Sequence, residues 1–380
     1  MIRLLALILF SFILSGCATY NTNTMQKVNY IDSRIPLSEV VEDYKIIQFD
    51  GSSPEAAIGS MERVMFLKDR IYVFDRTNNI VLSFSSDGKF IKTTKQYIGK
   101  ARGEYISISD VSVDFESSRI YVFCDRPNKI IIMDDELNFL YEENLDVYPL
   151  EILVEGKYLY CYCYDHEDLS RRSLIRFEKN HLKGKGTVLL DTREIIPGVE
   201  TFGVSLIANK GVDFCMPFSR IINHIEDGEI TNSYEIDFDG RWFSYSNSKG
   251  MQPRPFLNKN KDKVWSIKNI RCSDNQLIFS TNQATFFTCN LNDNTCTAYR
   301  GIENDVIPLQ GLFMVPLQGM NSYLGYEVPV STILNVKEHI DKIVSIFNSR
   351  YGKDIDKHLI EKINDSNEEC NPLLVMYKIK

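Results

Sequence analysis

Apolar residues along this chain come in short runs separated by clusters of Asp, Asn, Gly and Ser, a rhythm that predicts many short strands joined by tight turns. The clearest unit is residues 70–90, RIYVFDRTNNIVLSFSSDGKF. Its run 71–74 is unbroken, so that strand must be covered on both faces. After the turn-rich 75–78, apolar residues alternate at Ile80, Leu82 and Phe84. Asp87-Gly88 then supplies turn chemistry for a hairpin, and Phe90 opens a strand that soon becomes polar.

The same sentence is written again at 119–139, RIYVFCDRPNKIIIMDDELNF, 49 residues later. A lone meander cannot bury both faces, so copies must stack side by side. Weaker copies follow at 158–163 with 173–177, at 212–215 with 220–222, and at 277–280 with 285–288. A further unit starts near residue 305, which brings the total to about six, at the spacing of propeller blades. The short hairpin turns demand antiparallel strands and argue against a parallel solenoid. The predicted class is all-β: a six-bladed β-propeller with a short helical insertion near the C-terminus.

The insertion is read from Ile333, Val336, Ile340, Ile343, Val344 and Phe347, which fall at helical spacing and stop at Gly352; a second short helix is expected over 355–363. It occupies 332–364, after which 371–380 returns to the ring as a buried strand. The segment 43–49 is expected to pair nearby, closing the circle and removing exposed sheet edges.

The first residues set the address. Arg3 precedes an apolar run over 4–14 that is too short to span a bilayer, and the order of charge, apolar core and small residues reads as a secretory signal. Leu14-Ser15-Gly16-Cys17 looks like a bacterial lipobox, so 1–16 is read as a lipoprotein-type signal peptide and Cys17 as the acylated residue. An ordinary signal peptide with a chance cysteine is the alternative. Residues 17–36 are expected to form a polar tether and 37–380 the propeller. No acid follows Cys17 over 18–24, which tilts the placement to the periplasmic side of the outer membrane.

The chain of 380 residues carries a formal net charge of −8 and no basic run beyond 259–263, which excludes nucleic acid as an expected partner. Nine cysteines in so long a chain do not form a dense disulfide framework. One pair stands out: a hairpin turning at Asn292-Asp293 places Cys289 opposite Cys296, whether as a disulfide or as free thiols.

The span 58–140, with IGSMERVMFLKDRIYVFD and GKARGEYISISD, and the C-terminal NPLLVMYKIK resemble the six-bladed β-propeller lipoproteins of Bacteroidota, related to NHL and TolB-like propellers. The family marker is a G-x-G-P-G-E-Y/F loop between the first two blades. Gly99, Gly103, Glu104 and Tyr105 match it, whereas Ala101 and Arg102 replace its Gly-Pro pair. The resemblance implies exported, membrane-anchored proteins whose ligands are mostly unassigned.

Candidate binding residues are Arg102, Glu104 and Tyr105 in that loop, and Arg241, Trp242 and Arg254 in the long connection 240–265. Long connections on a rigid ring are where recognition resides; the plainer reading of 240–265 is a loop folded over the ring to bury Trp242 and Phe243. Asp75 and Asp125 end equivalent strands, where they either share a rim as a carboxylate pair or accept hydrogen bonds from turn amides. An extra residue, Cys124, suggests a bulge that re-aims Asp125. His166 and His224 are candidates for the central channel. No HxH, HExxH or paired-cysteine spacing is present, so no metal, cofactor or catalytic residue is assigned. Cys161 and Cys163 lie on one strand face and Tyr160 and Tyr162 on the other, which reads as packing between neighbouring units. The functional expectation is a non-catalytic binding or scaffold protein of the cell envelope for a small molecule, glycan, peptide or protein partner. A lyase or hydrolase using channel His and carboxylate groups is the alternative.

Overall fold

A computed structural model describes residues 24–199, 206–208, 210–272, 275–283, 285–309 and 313–380. Cys17, the signal segment and the start of the expected tether lie outside these residues. The chain enters as strand β1 (Thr24–Pro36), makes one helical turn, α1 (Leu37–Val40), and continues as β2 (Val41–Gln48). The tether expected over 17–36 is therefore corrected from Thr24 onward, where the backbone is paired. Period-two burial explains why: Gln26 and Val28 are buried while Met25, Lys27 and Asn29 are exposed.

Five four-stranded antiparallel meanders follow. They are β3–β6 (Arg63–Leu67, Arg70–Asp75, Ile80–Ser85, Phe90–Thr93) and β7–β10 (Ser107–Asp114, Arg119–Arg126, Asn128–Asp134, Phe139–Asn144). Next come β11–β14 (Tyr148–Glu155, Tyr158–Tyr164, Arg172–Glu178, Thr187–Thr192) and β15–β18 (Leu206–Ala208, Val212–Cys215, Ile221–Glu226, Glu229–Asp237). A long connection carrying α2 (Pro253–Lys259) leads to β19–β22 (Ile267–Cys272, Gln276–Thr281, Phe286–Asn290, Thr295–Glu303). The last strands are β23 (Phe313–Val315), β24 (Leu317–Gln318) and β25 (Tyr323–Val328). Helices α3 (Val330–Glu338), α4 (Ile340–Tyr351) and α5 (Lys357–Asp365) intervene before β26 (Leu373–Ile379). The helical excursion thus stands where the apolar spacing predicted, but His339 divides its first helix in two. Gly352, at φ 64°, caps α4 by donating to Asn348 O.

These strands form a propeller-like ring. Strand β1 runs parallel to both β18 and β22, the outer strands of successive meanders, and so fuses them into one nine-stranded sheet. The ring closes twice. Strand β2 pairs antiparallel with β26, register Ile46↔Val375, so chain start and chain end share a sheet with β25 and β23. Strand β24 adds in parallel to β3, with Leu317 opposite Val64.

Packing between sheets explains the unbroken run at 71–74. Ile71 and Val73 pack with Val64 against Leu374 and Met376 of the closing sheet. Tyr72 and Phe74, on the other face, pack against Val111, Ile120 and Val122 of the next. The alternation continues around the ring: Cys161 and Cys163 join the core with Tyr121 and Phe123, whereas Tyr160 and Tyr162 join Leu206 and Phe214. At the hairpin read from Asp87-Gly88 only Gly88 takes a positive φ, 86°, and a Cβ there would lie 2.2 Å from Gln48 O.

The axis is packed rather than open. Among the described residues a void of about 10 Å³ lies there, bounded by Arg63, Leu153, Leu206, Arg271, Leu317 and Gln318. Buried Arg63 pairs with Asp110 at 3.1 Å and donates to Ile152 O, while Asp110 accepts from Ile152 N at 2.7 Å. Gln318 accepts from Ser112 Oγ and Val113 N and donates to Val113 O and Val154 O. Polar bonds across the axis therefore tie the inner strands of three sheets.

Candidate functional site

Beside the axis a cavity of about 510 Å³ opens among the β15–β18, β19–β22 and closing sheets. Its walls include Lys210, His224, Glu226, Tyr234, Arg271 and Asn321. Strand β16 supplies Asp213, which is 1% exposed, and its neighbour β17 places His224 opposite it in register. Their side chains meet at 2.7 Å, His224 Nδ1 to Asp213 Oδ1. This bond, with added attraction from Asp213 and Glu226, raises the His224 pKa against the opposing effect of burial. Gly211 leaves room for the imidazole: a Cβ there would stand 3.3 Å from Nε2 and 2.4 Å from Ile225 O.

Arg271 is the penultimate residue of β19 and is 5% exposed. Its Nη1 donates to Ile270 O at 2.8 Å and its Nε has no partner. Burial lowers its pKa to about 10, with Asp213 countering. Across the cavity, Asn321 Oδ1 is likewise buried without a partner. Burial pushes Tyr234 up to about 12, and its hydroxyl pairs with Cys272. The arrangement offers a charge-bearing donor and a histidine held in one orientation, which suits recognition of a polar molecule.

The His224–Asp213 pair has a pH signature. A histidine raised in the folded state contributes stability fully below its unfolded value, about 6.5, and loses it as pH rises through the folded value. Urea midpoints of the chain and of His224→Gln are expected to differ most below about pH 6.5 and to approach one another as pH rises above it. A difference that does not vary with pH would contradict the pairing.

A second cavity, about 380 Å³, lies between β22, the closing sheet and α4, with Tyr326, Tyr351 and Tyr377 on its walls. On its wall Glu303 accepts from Arg350 Nη2 at 2.6 Å and from the Tyr351 hydroxyl at 2.8 Å.

The other residues singled out in the sequence are dispersed. Asp75 is fully buried and accepts from the amides of Gly59, Ser60 and Asn78 and from the Asn78 side chain. Asp125 is exposed at a bulge, bonded to Ser107 Oγ and 3.7 Å from Arg126. His166 lies against Tyr148, ring centroids 5.3 Å apart. None of Asp75, Asp125, His166 and His224 borders the axial space. In the 98–107 loop, Glu104 accepts from Ala101 N, Tyr105 is buried on Thr94 Oγ1, and Arg102 sits 5.9 Å above Phe139. In the long connection, Trp242 stacks on Phe238 and Arg241 sits 3.6 Å over Tyr30 of β1. Arg254 is exposed on α2, while Phe243 and Phe256 pack into a local core with Phe218. Cys289 and Cys296 face each other in register and form a disulfide, S–S 2.10 Å.

Asp213, Arg271 and Asn321 had no signal in the sequence, because three separate units must come together before they share a wall. Among the described residues no group of three or more His, Cys, Asp or Glu is placed to hold a metal ion, and no helix is long and apolar enough to cross a membrane.

The family described as Domain of unknown function (DUF4934) matches residues 23–378. A crystal structure of a Bacteroides fragilis protein described as exported superposes with TM-score 0.70 at 15% identity, covering 94% of this chain and 100% of that one. A streptogramin B lyase structure gives 0.43 at 13% identity, over 74% of this chain and 80% of its own. BamB from Moraxella catarrhalis gives 0.40 at 12%, over 68% and 66%. No curated protein matches the chain.

Proposed function

The chain belongs to the DUF4934 family, and from that premise, the ring and its cavity, we propose that it is an exported cell-envelope protein that binds a small polar molecule without transforming it. In this reading the ring is a six-bladed propeller: β1 merges two blades into the nine-stranded sheet, and β2 completes the last one. Acylated Cys17 holds it to the outer membrane on the periplasmic side, an address supported by the lipobox-like 14–17 and by the exported Bacteroides fragilis neighbour.

The observation that carries the binding reading is Arg271. A buried guanidinium is costly unless its donors and charge are met, and Arg271, 5% exposed on the wall of a cavity large enough for a metabolite, donates from Nη1 to a backbone carbonyl. The test is thermal unfolding of the detergent-solubilised protein with and without a desalted polar extract of the cells that make it. A rise of a few degrees is expected, each kcal/mol of ligand stabilisation being worth about 2–4 °C in a chain of this size. Asn321→Trp, which fills the cavity, should abolish the rise; a rise that survives it places the ligand elsewhere.

One observation favours a second reading as a lyase or hydrolase: the His224–Asp213 pair orients an acid–base group into the same cavity. Turnover of the bound molecule that disappears in His224→Gln decides for it.

A further inference from the structure

Resting on the anchored reading above, we propose that the connection 240–265 is a second contact with the bilayer, a cationic surface that lies on anionic phospholipid headgroups with Leu257 at the interface.

Charge is concentrated here against the trend of the chain. The segment holds Arg241, Lys249, Arg254, Lys259, Lys261 and Lys263 against a single acid, Asp262, a net of +5 where the whole chain is −8. Folding gathers these cations. Phe243 N donates to Val264 O and Val264 N to Arg241 O, both at 2.9 Å, which brings Arg241 beside Lys263. Asn260 Nδ2 donates to Ser248 Oγ at 3.4 Å and Lys259 Nζ to Asn247 O, which brings Lys249 beside Lys259. Phe243 and Phe256 pack inward with Phe218, and all six cations are left exposed. The acceptors of Lys259 and Lys263 are backbone carbonyls, Asn247 O and Gly240 O, which leave the charge uncancelled. Asp239 precedes the segment and Glu194 acts on Tyr245 within it, which trims the charge without reversing it. Leu257, 46% exposed in α2 between Arg254 and Lys259, adds an apolar side chain, and cations beside an exposed apolar group make an interfacial contact.

Reach selects the partner. Cys17 stands seven residues before Thr24, where β1 begins, a span of at most about 25 Å. Six residues along β1, about 20 Å further, Arg241 sits 3.6 Å over the Tyr30 ring. The acyl chains therefore hold this surface close to lipid, and a basic surface beside an anchor is drawn to anionic headgroups. Nucleic acid carries the same phosphates but is not what an anchored chain meets first. The anchor holds the protein, and the patch sets which side of the ring turns to the bilayer.

The test uses the acylated full chain on vesicles of phosphatidylcholine alone or of equimolar phosphatidylcholine and phosphatidylglycerol, with covalent amine labelling read peptide by peptide. Labelling of Lys249, Lys259, Lys261 and Lys263 is expected to fall on the anionic vesicles and to return in high salt, while exposed Lys89 of the first meander is labelled equally on both. Sedimentation of the non-acylated Cys17→Ala chain with the anionic vesicles isolates the patch. Lys259→Gln/Lys261→Gln/Lys263→Gln should weaken that binding by at least about 10-fold, three cations near the surface being lost. All three side chains are exposed, so this variant should unfold with the parent. Equal labelling on the two vesicles would overturn the proposal, as would sedimentation that the triple variant leaves unchanged. Protection by inorganic phosphate without vesicles, or retention on DNA or an anionic polysaccharide with no vesicle binding, would overturn the lipid assignment in favour of that partner. A mature N-terminus found by mass spectrometry to carry no lipid would overturn the anchor alone, and sedimentation of the Cys17→Ala chain then still decides the surface.

Discussion

Asp110→Ala is expected to destabilise the ring by about 3–5 kcal/mol, because it strands the Arg63 guanidinium at the packed axis. Arg63 and Asp110 are both nearly fully buried and bonded at 3.1 Å, and Asp110 also accepts from Ile152 N of the adjacent inner strand. One carboxylate thus joins three sheets. Denaturant unfolding of Asp110→Ala, Arg63→Met and the double variant Arg63→Met/Asp110→Leu checks this. The double variant should recover most of the loss, since an apolar pair of similar volume is often no worse than a buried ion pair. If Asp110→Ala alone unfolds with the parent, the axis is not held by this network.

Asp75→Ala is the second large effect, on the order of 2–4 kcal/mol, since several turn donors lose their buried acceptor together. The Asp75 carboxylate collects Gly59 N, Ser60 N, Asn78 N and Asn78 Nδ2 at 2.7–3.1 Å, stitching the segment that enters β3 to the turn after β4. Ligand stabilisation should persist in the folded fraction, because Asp75 does not line the cavity. Chemical denaturation gives the loss, and the thermal shift with polar extract gives the binding. A variant of parental stability that no longer responds to extract would return Asp75 to the list of site residues.

Much of the architecture could be read from strand periodicity because each repeat states its own packing problem. The run at 71–74 and the split of Cys161 and Cys163 from Tyr160 and Tyr162 require covers on both faces, and the ring provides them. The pairing of β2 with β26 followed from the same need to hide edges. Strand β1 escaped notice because an outer strand needs few apolar residues: Val28 and Tyr30 suffice once two outer edges flank it. The 98–107 loop and Asp75 offered chemistry-bearing residue types that the fold spends on turns. His224 was the one site candidate that led to the cavity, and it led there from a third strand beside the axis rather than from the channel. Its partners are joined only by ring closure, a long-range event that leaves no local pattern.

The most direct test is hydrogen exchange of the detergent-solubilised protein with and without the stabilising extract. Slowed exchange is expected over 206–234, 267–281 and 317–328, the strands that wall the His224–Arg271 cavity. Slowing confined to the loops 98–107 or 240–265, with those strands unchanged, would contradict it.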